Sequence, residues 1–270
     1  MSFFASGVAA WIHSAVARET CELDSSPNEP RISLVPLRTR RARIRAEALV
    51  KAVAHDLRNP LGGIIGFAGV LKMPGEPNAA LVKQAGETIE SLGVRMNAIL
   101  TNLLDIRRIE EGKLNLKPER CSYQDIVSEV VLSFRQQAEK KKITVLSELP
   151  ADAPAFVGDR HVTAQIFENL LSNAIKYSNP GSTVRCTVDL TGGHVRLNVV
   201  DNGPGLSEHD QKNLFKKFSK LSPRPTAGEN SNGLGLWIVQ KMAQAMNGNV
   251  TCRSAQGQGS TFSLHLPVAA

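Results

Sequence analysis

Cysteine is sparse in this sequence: Cys21, Cys121, Cys186 and Cys252 stand singly, with no Cys-x-x-Cys pair and no histidine nearby at metal-ligand spacing. That argues against a zinc site and a dense disulfide framework and fits a reducing, cytoplasmic setting. Long apolar runs are missing too. The longest, Phe3 to Ile12, is broken by Ser6 and Gly7 and falls short of the ~20 residues a membrane-spanning helix needs. No basic residue precedes that run, the first being Arg18, so it does not read as a secretory signal. Nor is the composition biased: hydrophobic residues at 42% and charged residues at 21% exclude a disordered tail, a collagen-like repeat and a coiled-coil rod. With 270 residues the chain has room for one large domain or two of ordinary size, and two are expected.

The net charge of +7 comes largely from Arg38, Arg40, Arg41, Arg43 and Arg45. Such a run can meet nucleic acid or anionic lipid, but no aromatic residues interleave with it, so it reads as the solvated face of a helix start and no nucleic-acid partner is expected.

The pattern divides the chain. Residues 1–37 read as a leader or linker, too short for a sensor domain, whose input would be a membrane surface, an upstream sensor partner or nothing. From Arg38 to about Leu71, Ile44, Leu49, Val53, Leu57, Leu61, Ile64 and Ala68 recur at helical spacing around a Pro60 kink. After the break at Lys72 to Asn78, a heptad seam runs through Leu81, Ala85, Ile89, Leu92, Met96, Ile99, Leu103 and Ile106. Two long helices therefore form a hairpin over 38–115. Its interior is too small for both apolar stripes, so a second copy would complete a four-helix bundle. Past Gly112 helices and strands alternate. Helices are expected over Tyr123–Lys141, Asp159–Tyr177 and Leu234–Met246, and strands over Ile143–Leu149, Thr183–Leu190, His194–Val200, Asn249–Arg253 and Thr261–Leu266. This second domain spans 118–270.

Four clusters carry chemistry. His55 lies off the apolar stripe of the first helix, with Asp56 adjacent and Asn59 one turn on. A carboxylate there would hold one ring nitrogen's proton and leave the other as a nucleophile. Asn169, Asn173, Lys176 and Tyr177 share one face of a helix, where amide oxygens suit Mg²⁺ and Lys suits phosphate. Asp201-Asn202-Gly203-Pro204-Gly205 follows a strand, and Asn232-Gly233-Leu234-Gly235-Leu236 opens a helix, setting unhindered N–H groups where a polyphosphate is stabilised. The segment between the two glycine clusters, with Phe215, Phe218 and several lysines, reads as a mobile lid.

From Arg38 to the C-terminus the chain resembles the transmitter module of a two-component sensor histidine kinase. His55-Asp56-Leu57-Arg58-Asn59-Pro60-Leu61 resembles the phosphoacceptor box, Asn169 to Ser178 the N box, Asp201 to Gly205 the first glycine box, Phe215 to Phe218 the F box and Gly233 to Leu236 the second glycine box. Gly257 to Phe262 resembles the closing glycine turn, and Ser231 stands where the family commonly has another glycine.

The resemblance implies an α+β chain: a helical hairpin, a four-helix bundle in the homodimer, followed by an α/β sandwich of gyrase type with a mixed sheet and helices on one face. It implies ATP and Mg²⁺. Asp201 would accept the adenine amino group; Asn173, helped by Asn169, would hold Mg²⁺; and Lys176 would contact a phosphate. Tyr177 would pack at the ribose or base, Gly203 and Gly205 would shape the adenine pocket, and Gly233, Leu234 and Gly235 would cradle the phosphates. His55 would take the γ-phosphoryl group, oriented by Asp56, and pass it to an aspartate on a response regulator receiver domain, while Asn59 would serve phosphatase activity. The rival expectation is a catalytically silent module acting by partner binding.

Overall fold

The computed structural model describes residues 35–73, 78–219, 221–226 and 233–269, with side chains from residue 53 onward. The leader, the arginine run and Ser231 lie outside the described residues or side chains. The chain divides into two compact units, Met1–Leu100 and Thr101–Ala270.

The first unit is the hairpin. Helix α1 (Val35–Val70) runs unbroken through Pro60. A proline has no N–H to give the carbonyl four residues back, so Asp56 O lacks its usual helical partner beside His55. Helix α2 (Ala79–Glu110) begins where Asn78 Oδ1 accepts from Leu81 N at 2.7 Å, an N-cap that ends the Lys72 to Asn78 break. The helices approach closely at Gly63, where a Cβ would sit 2.7 Å from Leu92 Cδ1.

The residues of the heptad seam, Leu81, Ala85, Ile89, Leu92, Met96, Ile99, Leu103 and Ile106, are all buried or half-buried. Ala85 and Ile99 are buried within the chain itself, whereas Ile65 and Val94 are 62% and 67% exposed. Leu61 and Leu100 are exposed as well, at 39% and 40%.

The second unit begins with the last residues of α2. Ile106 belongs to its core, and Gln165 Nε2 donates to Asp105 Oδ2 at 2.5 Å. Then follow β1 (Glu119–Cys121), α3 (Tyr123–Lys140), β2 (Thr144–Glu148), β3 (Phe156–Gly158), α4 (Arg160–Tyr177), β4 (Thr183–Thr191), β5 (His194–Asp201), α5 (Glu208–Asn213), α6 (Gly235–Ala245), β6 (Asn249–Ser254) and β7 (Ser260–Pro267). Five strands form a mixed sheet in the order β2-β4-β5-β7-β6, with β2 and β4 parallel and the other neighbours antiparallel. Strands β1 and β3 make a separate antiparallel pair.

One face of the sheet is apolar. Val184, Cys186, Val195, Leu197, Val199, Leu264 and Leu266 are fully buried against Ile166, Leu170, Ile175, Ile238 and Met242 from α4 and α6. Alternation along each strand turns polar residues to the other face. Asp159 caps α4, accepting from His161 N and Val162 N, and Ser122 caps α3. These caps fix where the helices start, and so which face of α4 carries Asn169 and Asn173.

Candidate active site

Asp201 is the last residue of β5 and is 5% exposed. Gly203 N donates to its Oδ1 at 2.8 Å, and Ser260 N, opposite on β7, gives a second backbone bond. Burial outweighs these donors and pushes its pKa up to about 6, so at neutral pH it is a buried carboxylate with acceptor capacity to spare. Cys252 lies beside it, its thiol raised to about 12 by burial and then by the charge of Asp201; it is an unreactive wall.

The glycines around Asp201 are sterically required. A Cβ on Gly203 would sit 2.8 Å from Asp201 Oδ1 and 3.0 Å from Tyr177 O. Gly205 (φ +66°) and Gly259 (φ +77°) would each drive a Cβ to 2.0 Å from a carbonyl oxygen, of Ala255 and Asp201 respectively. Gly259→Ala therefore meets both a left-handed backbone, about 1–3 kcal/mol by itself, and a backbone collision that shifts the Ser260 donor. The expected result is a lowered unfolding temperature together with loss of nucleotide affinity; an unchanged thermal melt would contradict the packing.

Asn169 and Asn173 are one turn apart on α4, and Asn173 Nδ2 donates to Asn169 Oδ1 at 3.2 Å, which leaves Asn173 Oδ1 as an acceptor. Gly235 packs on that pair, since a Cβ there would lie 2.8 Å from the Asn169 amide. Helix α6 starts at Gly235 with Leu234 as its N-cap, which makes no side-chain cap bond, so among the described residues its first N–H groups have no capping side chain. Gly233 (φ +63°) folds back on the F-box segment, Phe218 N donating to Gly233 O at 2.9 Å. Lys176 Nζ lies 5.5 Å from the centroid of the Tyr177 ring. The sequence-predicted residues from Asn169 to Gly235 thus converge on one end of the sheet, the end where β5 finishes. Asn232 lies outside the described residues.

The lid is more structured than its composition implies. It contains α5, closed by a reciprocal Ser207–Asp210 capping box. Asp210, 2% exposed, also accepts from Ser222 N and Oγ. Thr226 ties the described end to α4, its N–H donating to Lys176 O at 3.2 Å and its hydroxyl to Ser178 O at 2.8 Å. Lys217 pairs with Glu110 and lies 4.1 Å from the Trp237 ring centroid.

In the hairpin unit, His55 is exposed, with a side chain at 69%, and its Nδ1 lies 3.5 Å from Asp56 Oδ1. A proton on Nδ1 would face that carboxylate and leave the Nε2 lone pair open to solvent. Asn59 is exposed one turn on.

Two family models match: His Kinase A (phospho-acceptor) domain over residues 45–112, and Histidine kinase-, DNA gyrase B-, and HSP90-like ATPase over 158–270. The chain belongs to the sensor histidine kinase family. It carries that family's transmitter module, of the protein-histidine kinase class. The sensor protein GacS of Pseudomonas syringae pv. syringae is 34% identical over 235 residues, 84% of this chain and 26% of its own. Among solved structures, full-length ShkA in complex with AMPPNP is 26% identical with a TM-score of 0.61, covering 83% of this chain and 46% of that one. The histidine kinase ThkA in complex with response regulator TrrA has a TM-score of 0.61 at 22% identity, covering 86% and 65%, a likeness of fold. The chain spans about a quarter of the length of the curated relatives it matches.

The sensor-kinase module has the donor set a magnesium nucleotide requires: a buried carboxylate for an amino group, amide oxygens for a hard cation, and an uncapped helix start for phosphates. Three contributors escape the sequence. Ser260 acts through its backbone, and Lys141 Nζ donates to Ile175 O and Lys176 O at 2.8 and 2.6 Å, holding the end of α4. Asp210 anchors the lid. The Gly257 to Gly259 turn signals the first of these, while the other two meet their partners at distant points in the chain. No described helix is long and apolar enough to cross a membrane.

Proposed function

We propose that this chain is an ATP-dependent kinase that phosphorylates its own His55 and passes the phosphoryl group to an aspartate of a response regulator receiver domain. What carries the proposal is the combination of an exposed imidazole backed by Asp56 with a second unit whose buried Asp201 is ringed by glycines that tolerate no side chain. We assign 38–115 to dimerisation and phosphotransfer and 118–270 to nucleotide binding. ATP is the substrate. Its adenine amino group donates to Asp201, the Tyr177 ring packs on ribose or base, and Lys176 with the Gly233, Leu234 and Gly235 backbone holds the phosphates. Gly203 and Gly205 keep the adenine pocket open. Asn173 and Asn169 would hold Mg²⁺, which neutralises phosphate charge.

His55 Nε2 attacks the γ-phosphorus in line. The N–P bond forms as the bond to the ADP oxygen breaks, and the imidazolium that results is stabilised by Asp56 at Nδ1. The regulator's aspartate then takes the phosphoryl group by the same kind of displacement. The known complex of ThkA with TrrA supports a receiver partner. A homodimer is supported by the match to the phospho-acceptor domain over residues 45–112 and by exposed apolar residues of the hairpin, Ile65 and Val94 among them.

In this reading Asn59 serves the reverse duty. Its amide, one turn from His55, would orient a water for attack on the regulator's aspartyl phosphate, whereas autophosphorylation has no need of it. Asn59→Ala should leave autophosphorylation within a few fold and slow regulator dephosphorylation about tenfold, the ~1.4 kcal/mol one positioned hydrogen bond supplies. Decay of purified phospho-regulator with ADP present measures this, and equal decay for both proteins would remove the phosphatase role. Incubation of the phosphorylated chain with purified receiver domains tests the forward transfer. Label that leaves His55 and appears on one receiver within minutes is expected; label that stays on the kinase with every receiver would overturn it.

A further inference from the structure

The sheet face turned away from α4 and α6 carries residues the kinase reaction does not use. The alternation that buries Val195, Leu197, Leu264 and Leu266 turns His194, Arg196 and His265 the other way. Arg196 stands opposite His265 on β7, and His265 stands opposite Asn249 on β6. His194 and His265 are thus diagonal neighbours on adjacent strands, within reach for long side chains. Both line a groove of about 260 Å³ together with Asn247, Gly248, Asn249 and Thr251. Gly248 lets the turn press on β7, where a Cβ would meet His265 O at 2.3 Å.

The imidazoles are prepared as ligands. His194 Nδ1 lies 3.1 Å from Gly192 O. A carbonyl only accepts, so the proton sits on Nδ1 and Nε2 presents its lone pair. A backbone carbonyl that fixes the tautomer in this way is the arrangement found behind metal-bound histidines. His265 Nε2 pairs with Thr251 Oγ1 at 2.9 Å; with Nε2 as the donor, Nδ1 carries the lone pair. The cations beside His265 are Arg196 and Arg253. Arg196 is itself engaged by Asp189 through two bonds of 2.9 Å, which limits its repulsion of a cation in the groove.

We propose that His194 and His265, with oxygens of Asn247 and Asn249, form a site for a divalent transition-metal ion, the Thr251 hydroxyl fixing the His265 ring through Nε2. Imidazole selects Zn²⁺, Ni²⁺ or Cu²⁺, whereas Mg²⁺ takes oxygen ligands, so the site is chemically separate from the nucleotide pocket. Among the described residues no three His, Cys, Asp or Glu side chains converge on a common point. The ion therefore keeps water in its open positions and exchanges readily.

Nickel chloride titrated calorimetrically into the full chain, in a non-coordinating buffer with excess magnesium, tests the proposal. One ion per chain with micromolar affinity is expected. His194→Ala and His265→Gln should each weaken it about tenfold or more, and His55→Gln should leave it unchanged. ATP binding in the same variants reports that they are folded. Absence of binding at millimolar nickel, retention of full affinity in both groove variants, or loss of it in His55→Gln would overturn the site.

Discussion

His55→Gln should take up no phosphoryl group from Mg-ATP while still binding the nucleotide with wild-type affinity. Glutamine keeps the bulk and polarity of the side chain and is a good helix former, so α1 persists. What it lacks is a nitrogen lone pair able to displace ADP, since an amide nitrogen is not nucleophilic. Asp56, 3.5 Å from His55 Nδ1, loses the ring it orients and supplies no substitute. Loss of label is therefore complete, while calorimetry should find ATP affinity unmoved, because Asp201, Asn173 and Gly235 belong to the other compact unit. Loss of both together would mean that the substitution had damaged the fold.

Asp201→Ala should produce the opposite pattern. It removes an acceptor that the adenine amino group would use, an interaction of about 1.5–3 kcal/mol for a bond to a charged group, which is about tenfold to over a hundredfold in ATP affinity. The same carboxylate gives a pH signature. With its pKa raised by burial to about 6, Asp201 is protonated in the folded domain well above the usual carboxylate value. Its contribution to stability is present in acid and is lost as pH rises through about 6, amounting to about 3 kcal/mol at most. Nucleotide binding should run the other way, weakening as pH falls through about 6. Adenosine is the right probe, because its lack of phosphates isolates the base contact. Flat adenosine affinity from pH 5 to 8 would place the adenine elsewhere.

The elements that sequence makes plain are those with a strong local period. Helices α3, α4 and α6 and strands β4 and β5 fall within one residue of their expected ends, because hydrophobic spacing and the Gly192-Gly193 turn state their limits. Strands β1 and β3 escape notice. Each is three residues long, and each exists only because Cys121 meets Phe156 across a gap in the chain. Helix α5 is hidden in the lid for a similar reason: its six residues, Glu-His-Asp-Gln-Lys-Asn, have no apolar stripe, and the Ser207–Asp210 capping box starts it.

The chemical residues are more legible than their supports. Asp201 and the glycines can be read as motifs because backbone geometry admits no other residue there, whereas Lys141 at the end of α4 looks like any solvated lysine until the fold sets it against Ile175 O. The heptad seam shows the limit of periodicity. The spacing identifies Ile99 as buried, but it does not say which helix covers it.

The most direct test of the account is the chemistry of the phosphorylated wild-type chain after incubation with γ-labelled Mg-ATP. A phosphoramidate hydrolyses in acid and survives base, whereas phosphoserine is stable in acid. The account predicts label that is lost in acid, kept in base, and carried by the peptide containing His55. Acid-stable label, or acid-labile label on any other histidine, would contradict it.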